Sequence, residues 1–81
     1  MSTSLLVLFD VPARAPRKLV QRKLERMGFK ALFPNAYERH GDLPALKEVE
    51  HSLYKILRGE VFRLRIYRLG ARTKTVERWG R

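Results

Sequence analysis

Leu5-Leu6-Val7-Leu8-Phe9 is an unbroken apolar run that ends on one carboxylate, Asp10, and is closed by Pro12. A strand with one wet face alternates apolar and polar side chains, so this run predicts a strand covered on both faces. With a two-residue repeat, Leu5, Val7 and Phe9 face one way, and Leu6, Leu8 and Asp10 the other. Asp10 is therefore expected at the carboxyl end of the strand, on a face that needs cover. The run is too short to span a bilayer and has no charged leader before it, so it is expected to belong to the fold, with no membrane as partner.

The remaining elements follow in order. Pro16 suits the first turn of a helix that runs to about Met27, with Val20, Leu24 and Met27 on one face and Leu19 beside them; Gly28 is its expected stop. Phe29 to Phe33 is predicted as a second strand, Pro34-Asn35 as a turn or bulge, and Ala36 to Arg39 as a third strand. A turn at His40-Gly41-Asp42 precedes a second helix with Pro44 near its start, the apolar stripe Leu46, Val49, Leu53, Ile56 and Leu57, and Gly59 at its end. From Val61 to Leu69, Phe62, Leu64 and Ile66 alternate with Arg63, Arg65 and Tyr67, as in a strand with one buried face. The tail, 71–81, keeps Val76 and Trp79 as its large apolar groups and is expected to form a short fifth strand or to be ordered only against a partner.

The order β-α-β-β-α-β with two single-striped helices predicts one α+β domain over 1–81. Its expected form is a ferredoxin-like four-stranded antiparallel sheet with both helices on one face. Leu6 and Leu8 would then lie on the uncovered face. A second copy laid sheet to sheet is the simplest cover, so a homodimer is expected. Eighty-one residues without cysteine leave the core no disulfide or thiolate-bound metal to lean on, and a cytoplasmic location is expected.

Charge narrows the partner. Residues 1–40 carry +5, residues 41–60 carry −1 and residues 61–81 carry +6, for a net +10. A polyanion is the fitting partner, and nucleic acid is the commonest one. The cations form two groups: Arg14, Arg17, Lys18 and Arg22 close to Asp10 in the chain, and Arg63, Arg65, Arg68, Arg72, Lys74 and Arg78 on the last strand and tail. Contacts from such residues to phosphates give affinity without sequence preference.

Asp10 is the candidate for chemistry. A strand-end carboxylate beside an interface is costly to bury unless it binds a metal or accepts hydrogen bonds. A two-fold axis would bring a second Asp10 to it, and a pair of carboxylates suits Mg²⁺, which keeps several waters. Such an ion can stabilise charge on a scissile phosphate. The alternative is a purely structural Asp10 that starts the turn before Pro12. His40 and His51 fit no metal-ligand spacing. Glu38 is a candidate supporting acid or an edge-strand charge. No phosphate loop or nucleophile elbow occurs.

Phe9-Asp10-Val11-Pro12, Arg17-Lys18, Gly28, Ala36-Tyr37-Glu38, Arg65-Ile66-Tyr67-Arg68-Leu69 and the segment Val76 to Gly80 occur in an order that resembles the CRISPR-associated protein 2 family. The resemblance implies a ferredoxin-like homodimer whose facing Asp10 residues bind Mg²⁺ or Mn²⁺. It also implies a metal-dependent endonuclease on single-stranded RNA or duplex DNA within antiviral spacer acquisition. By the same resemblance Arg14, Arg17 and Lys18 contact phosphate, and the tail from Thr73 to Trp79 reaches a partner subunit. Where the family has Gln and Ser before its hydrophobic-aromatic-Glu triplet, this chain has Phe33 and Asn35, so Asn35 is the candidate supporting residue. Two further functions stand beside the nuclease: a non-catalytic adaptor that bridges two dimers of CRISPR-associated protein 1 on duplex DNA, and a related toxin ribonuclease. An RNA-binding module on this fold is disfavoured by the missing RNP1 pattern.

Overall fold

A computed structural model of the chain describes residues 3–70 and 74–80. Its elements are β1 (Ser4–Asp10), α1 (Arg14–Arg26), β2 (Lys30–Phe33), β3 (Ala36–His40), α2 (Leu46–Leu57), β4 (Phe62–Leu69) and β5 (Lys74–Gly80). The strands form one antiparallel sheet in the order β2-β3-β1-β4-β5, with the apolar β1 at its centre.

Alternation decides which side of the sheet is buried. Leu5, Val7 and Phe9 of β1, Tyr37 of β3, and Phe62, Leu64 and Ile66 of β4 form one core with Val20 and Leu24 of α1 and Val49, Leu53 and Leu57 of α2. The Phe9 and Tyr37 rings lie 5.9 Å apart within it. Both helices thus cover the same sheet face, as their single apolar stripes require. The opposite face is left open in the single chain: Leu6 and Leu8 are half-buried, and Asp10 is exposed. The two-sided cover predicted for β1 is therefore met on one side by the helices and on the other by nothing among the described residues.

Several boundaries move from their expected places. α1 begins at Arg14, so Pro16 is the third helical residue, where its missing N–H still costs no helical hydrogen bond. Leu19 is 51% exposed and lies outside the buried stripe of Val20 and Leu24, because one residue turns the helix by about 100°. Phe29 packs in the core just ahead of β2, and its N–H bonds the Leu24 carbonyl at 2.9 Å. Gly28 makes this tight exit at φ +85°, a left-handed conformation that glycine adopts without strain. β2 is wholly exposed, with a register shift between Ala31 and Phe33.

The tail forms the expected fifth strand. β5 spans seven residues and pairs with β4 of its own chain from Arg68↔Lys74 to Phe62↔Gly80. This pairing satisfies backbone groups that β4 would otherwise expose as a sheet edge. Side chains fix it on both faces. Val76 packs against the core, and the Arg78 guanidinium lies 4.3 Å from the Tyr54 ring centroid. On the open face Arg65 pairs with Glu77 at 3.1 Å. Gly80 closes the ladder where a Cβ would stand 2.6 Å from the Phe62 ring and 2.7 Å from the Glu60 carbonyl oxygen. Arg72 and Thr73, named among the candidate contacts, lie outside the described residues. Among the described residues no helix is long and apolar enough to cross a membrane.

Candidate nucleic-acid interface

Residues paired directly across an antiparallel ladder share a face, so the register lays out the open side of the sheet row by row. One row runs His40, Ser4, Leu69; the next Lys30, Glu38, Leu6, Tyr67, Thr75; the next Ala36, Leu8, Arg65, Glu77. The last row is Asp10, Arg63, Trp79, which places a carboxylate, a guanidinium and an indole on three adjacent strands. Asp10 sits between two shallow depressions. Leu8, Asn35, Arg63 and Arg65 contribute to one, and Pro12, Val61, Arg63 and Trp79 to the other.

The backbone around Asp10 is held from two sides. After β1, Val11 is buried, and Arg17 donates from Nη1 to the carbonyl oxygens of both Val11 and Pro12 at 3.3 Å. On the other side, the Phe9 N–H donates to the Asn35 carbonyl at 3.0 Å, and Gln21 Nε2 donates to the Pro34 carbonyl at 2.8 Å. These bonds tie the Pro34-Asn35 turn to β1 and α1, so Asn35 stands at Asp10 although β2 itself is solvent-exposed. Arg17 therefore braces the loop.

The other candidates separate into groups. Arg63 and Arg65 flank Asp10 on β4. Arg65 also donates to the Tyr67 hydroxyl at 3.4 Å. The Tyr67 hydrogen bond, followed by the charge of Glu77, stabilises its protonated form further. Arg14, Lys18 and Arg22 are exposed at i, i+4 and i+8 on α1, lining a groove with Ala15 and Leu19. That stripe spans about 12 Å along the helix and belongs to the helical layer, apart from the open sheet face. Arg39 and Arg68 are structural, donating to the carbonyl oxygens of Met27 at 2.7 Å and Pro44 at 3.2 Å.

Glu38 is not brought to Asp10. It lies opposite Leu6, four residues and about 13 Å back along β1, and its carboxylate is 3.2 Å from His40 Nε2. Among the described residues no group of three or more His, Cys, Asp or Glu could hold a metal ion. Asp10 of one chain thus offers Mg²⁺ or Mn²⁺ a single protein carboxylate. A donor pair arises only if a second copy supplies its own Asp10.

The residue that sequence reasoning passed over is Trp79, counted only as an apolar group of the tail. It is 68% exposed beside Arg63. The signal was present in the alternation Lys74, Val76, Arg78 against Thr75, Glu77, Trp79, which places the indole on the face of Asp10 once β5 is a strand. Neither a family model nor a curated protein matches this sequence.

Proposed function

We propose that this chain is a ferredoxin-like, CRISPR-associated protein 2-like component of antiviral spacer acquisition. On this proposal it acts in the cytoplasm as a homodimeric, divalent-metal-dependent endonuclease on single-stranded RNA or duplex DNA. The observation that carries the reading is the placement of Asp10. It is exposed at the end of the central strand, on the uncovered sheet face, beside Asn35, Arg63 and Arg65. The sheet order from β2 to β4 is the one a ferredoxin-like fold requires. A second copy laid on Leu6 and Leu8 would cover the open face and bring the second Asp10 near the first. Two such carboxylates fit Mg²⁺ or Mn²⁺, and the ion would supply charge stabilisation at a scissile phosphate. Arg63 and Arg65 would orient that phosphate, the Asn35 amide would donate a hydrogen bond to it, and Arg17 would hold the loop that presents Asp10.

The exposed stripe of Arg14, Lys18 and Arg22 favours a second reading. It is a cationic surface distinct from Asp10, suited to duplex DNA held by an adaptor between dimers of CRISPR-associated protein 1. A toxin ribonuclease on the same site would use Asp10 but would need no such partner.

Cleavage of labelled single-stranded RNA and duplex DNA by the wild type and Asp10→Asn, with Mg²⁺ and with EDTA, separates these functions. Metal-dependent cutting that disappears in Asp10→Asn while binding persists supports the nuclease. Salt-sensitive duplex binding by both proteins, with no cutting by either, removes the nuclease and leaves the adaptor.

A further inference from the structure

From the row Asp10, Arg63, Trp79 we infer that Trp79 is a stacking contact for an unpaired base, which makes single-stranded nucleic acid the preferred ligand of the Asp10 end of the sheet. The inference deepens the proposed site and rests on nucleic acid binding there. An exposed tryptophan alone is unremarkable, since much of any protein surface is apolar. Three features give this one a ligand. It is aligned with Arg63, directly opposite it across the β4–β5 ladder, and Arg63 is in turn opposite Asp10. Adjacent strands lie about 4.8 Å apart, so the guanidinium stands one strand from the indole and one from the carboxylate. A base stacked on Trp79 thus has a cation beside it for its phosphate, and the chain continues toward Asp10.

The strand that carries the indole is also held in place. The close approach of Gly80 to Phe62 and Glu60 fixes the end of β5, and Arg78 on Tyr54 fixes the strand from its other face. A strand-borne aromatic needs little further ordering to accept a base. Base–aromatic stacking tolerates any sequence and pairs naturally with a cationic groove, and this chain carries +10. Duplex bases present only their edges in the grooves, so away from its ends a duplex offers Trp79 no ring face. Trp79 also stands on the strand at the sheet's edge, two strands from Leu6 and Leu8. A second copy centred on those leucines therefore leaves it at the rim.

Trp79 is the sole tryptophan of the chain, so its emission reports this position alone. The full chain is titrated with a single-stranded oligonucleotide, an abasic strand of equal length and charge, and a blunt duplex, without added metal to prevent cutting. Emission should be quenched by the first and little changed by the others. Trp79→Ala should weaken single-strand binding by about 5- to 100-fold and leave duplex binding unaltered, with Trp79→Phe intermediate. Circular dichroism checks that each variant is folded.

Equal quenching by the abasic strand, or undiminished single-strand affinity in a folded Trp79→Ala, overturns the inference. So does a blue-shifted emission shielded from acrylamide in the free protein, which would mean that a second copy covers the indole. Asp10→Asn separates this inference from the nuclease. Quenching that persists in a protein that never cuts removes only the nuclease, and metal-dependent cutting without quenching removes only the stacking contact.

Discussion

Replacing Leu8 by Ala perturbs the proposed dimer without touching the core. Leu8 lies on the open face, outside the cluster formed by Leu5, Val7, Phe9 and the helices. It is half-buried in the single chain, so covering it with a second copy removes the rest of its apolar surface from water. That remainder, at most about a third of the side chain, stabilises by about 0.5–1 kcal/mol per side chain. A two-fold interface contains every residue twice, so one substitution removes about 1–2 kcal/mol of association energy. The dimer dissociation constant should rise by about 5- to 30-fold. Sedimentation velocity over a concentration series measures it directly, with thermal unfolding at low concentration to show that the isolated chain keeps its stability. Unchanged association in a folded Leu8→Ala protein would refute the claim that this face pairs with another copy.

Three further predictions concern charge and the surroundings of Asp10. Burial, with a smaller contribution from the charge of Glu25, raises the pKa of the Tyr37 phenol above its ordinary 10.0. The unfolded chain therefore releases this proton first, and stability falls as pH rises above about 10. In paired thermal melts, Tyr37→Phe should lose less stability than the wild type over that range and track it between pH 7 and 9. Arg17→Met should cost about 1–2 kcal/mol in urea unfolding, because two loop carbonyls lose their donor, while the salt dependence of nucleic-acid binding stays as it was. Changing Arg14, Lys18 and Arg22 together to Gln should do the reverse, making the slope of log K against log salt for duplex DNA shallower by about 2 to 3 units with stability nearly unchanged.

Much of the fold was legible because its core residues alternate or repeat cleanly. Leu5, Val7 and Phe9, then Phe62, Leu64 and Ile66, could face only one way, and Val49, Leu53 and Leu57 could lie on only one side of a helix. The full extent of the fifth strand was less legible because its strand signal is dispersed. Val76, Arg78 and Gly80 hold β5 through contacts with the core, Tyr54 and Phe62 that are distant in sequence. Arg17, Arg39 and Arg68 have the composition of phosphate contacts, but each donates to a backbone carbonyl that only the folded chain brings within reach. The site was legible in part. Asp10 announced itself by ending an apolar run and Asn35 through the family resemblance, whereas Trp79 came to Asp10 only through the β4–β5 register.

The most direct measurement is the stoichiometry of Mn²⁺ bound to the wild type and to Asp10→Asn, followed by electron paramagnetic resonance alongside sedimentation of the same samples. Paired Asp10 carboxylates predict one tightly held ion per two chains, lost in Asp10→Asn while that protein still dimerises. One ion per chain, or tight binding that survives in Asp10→Asn, would contradict a metal site shared across the open sheet face.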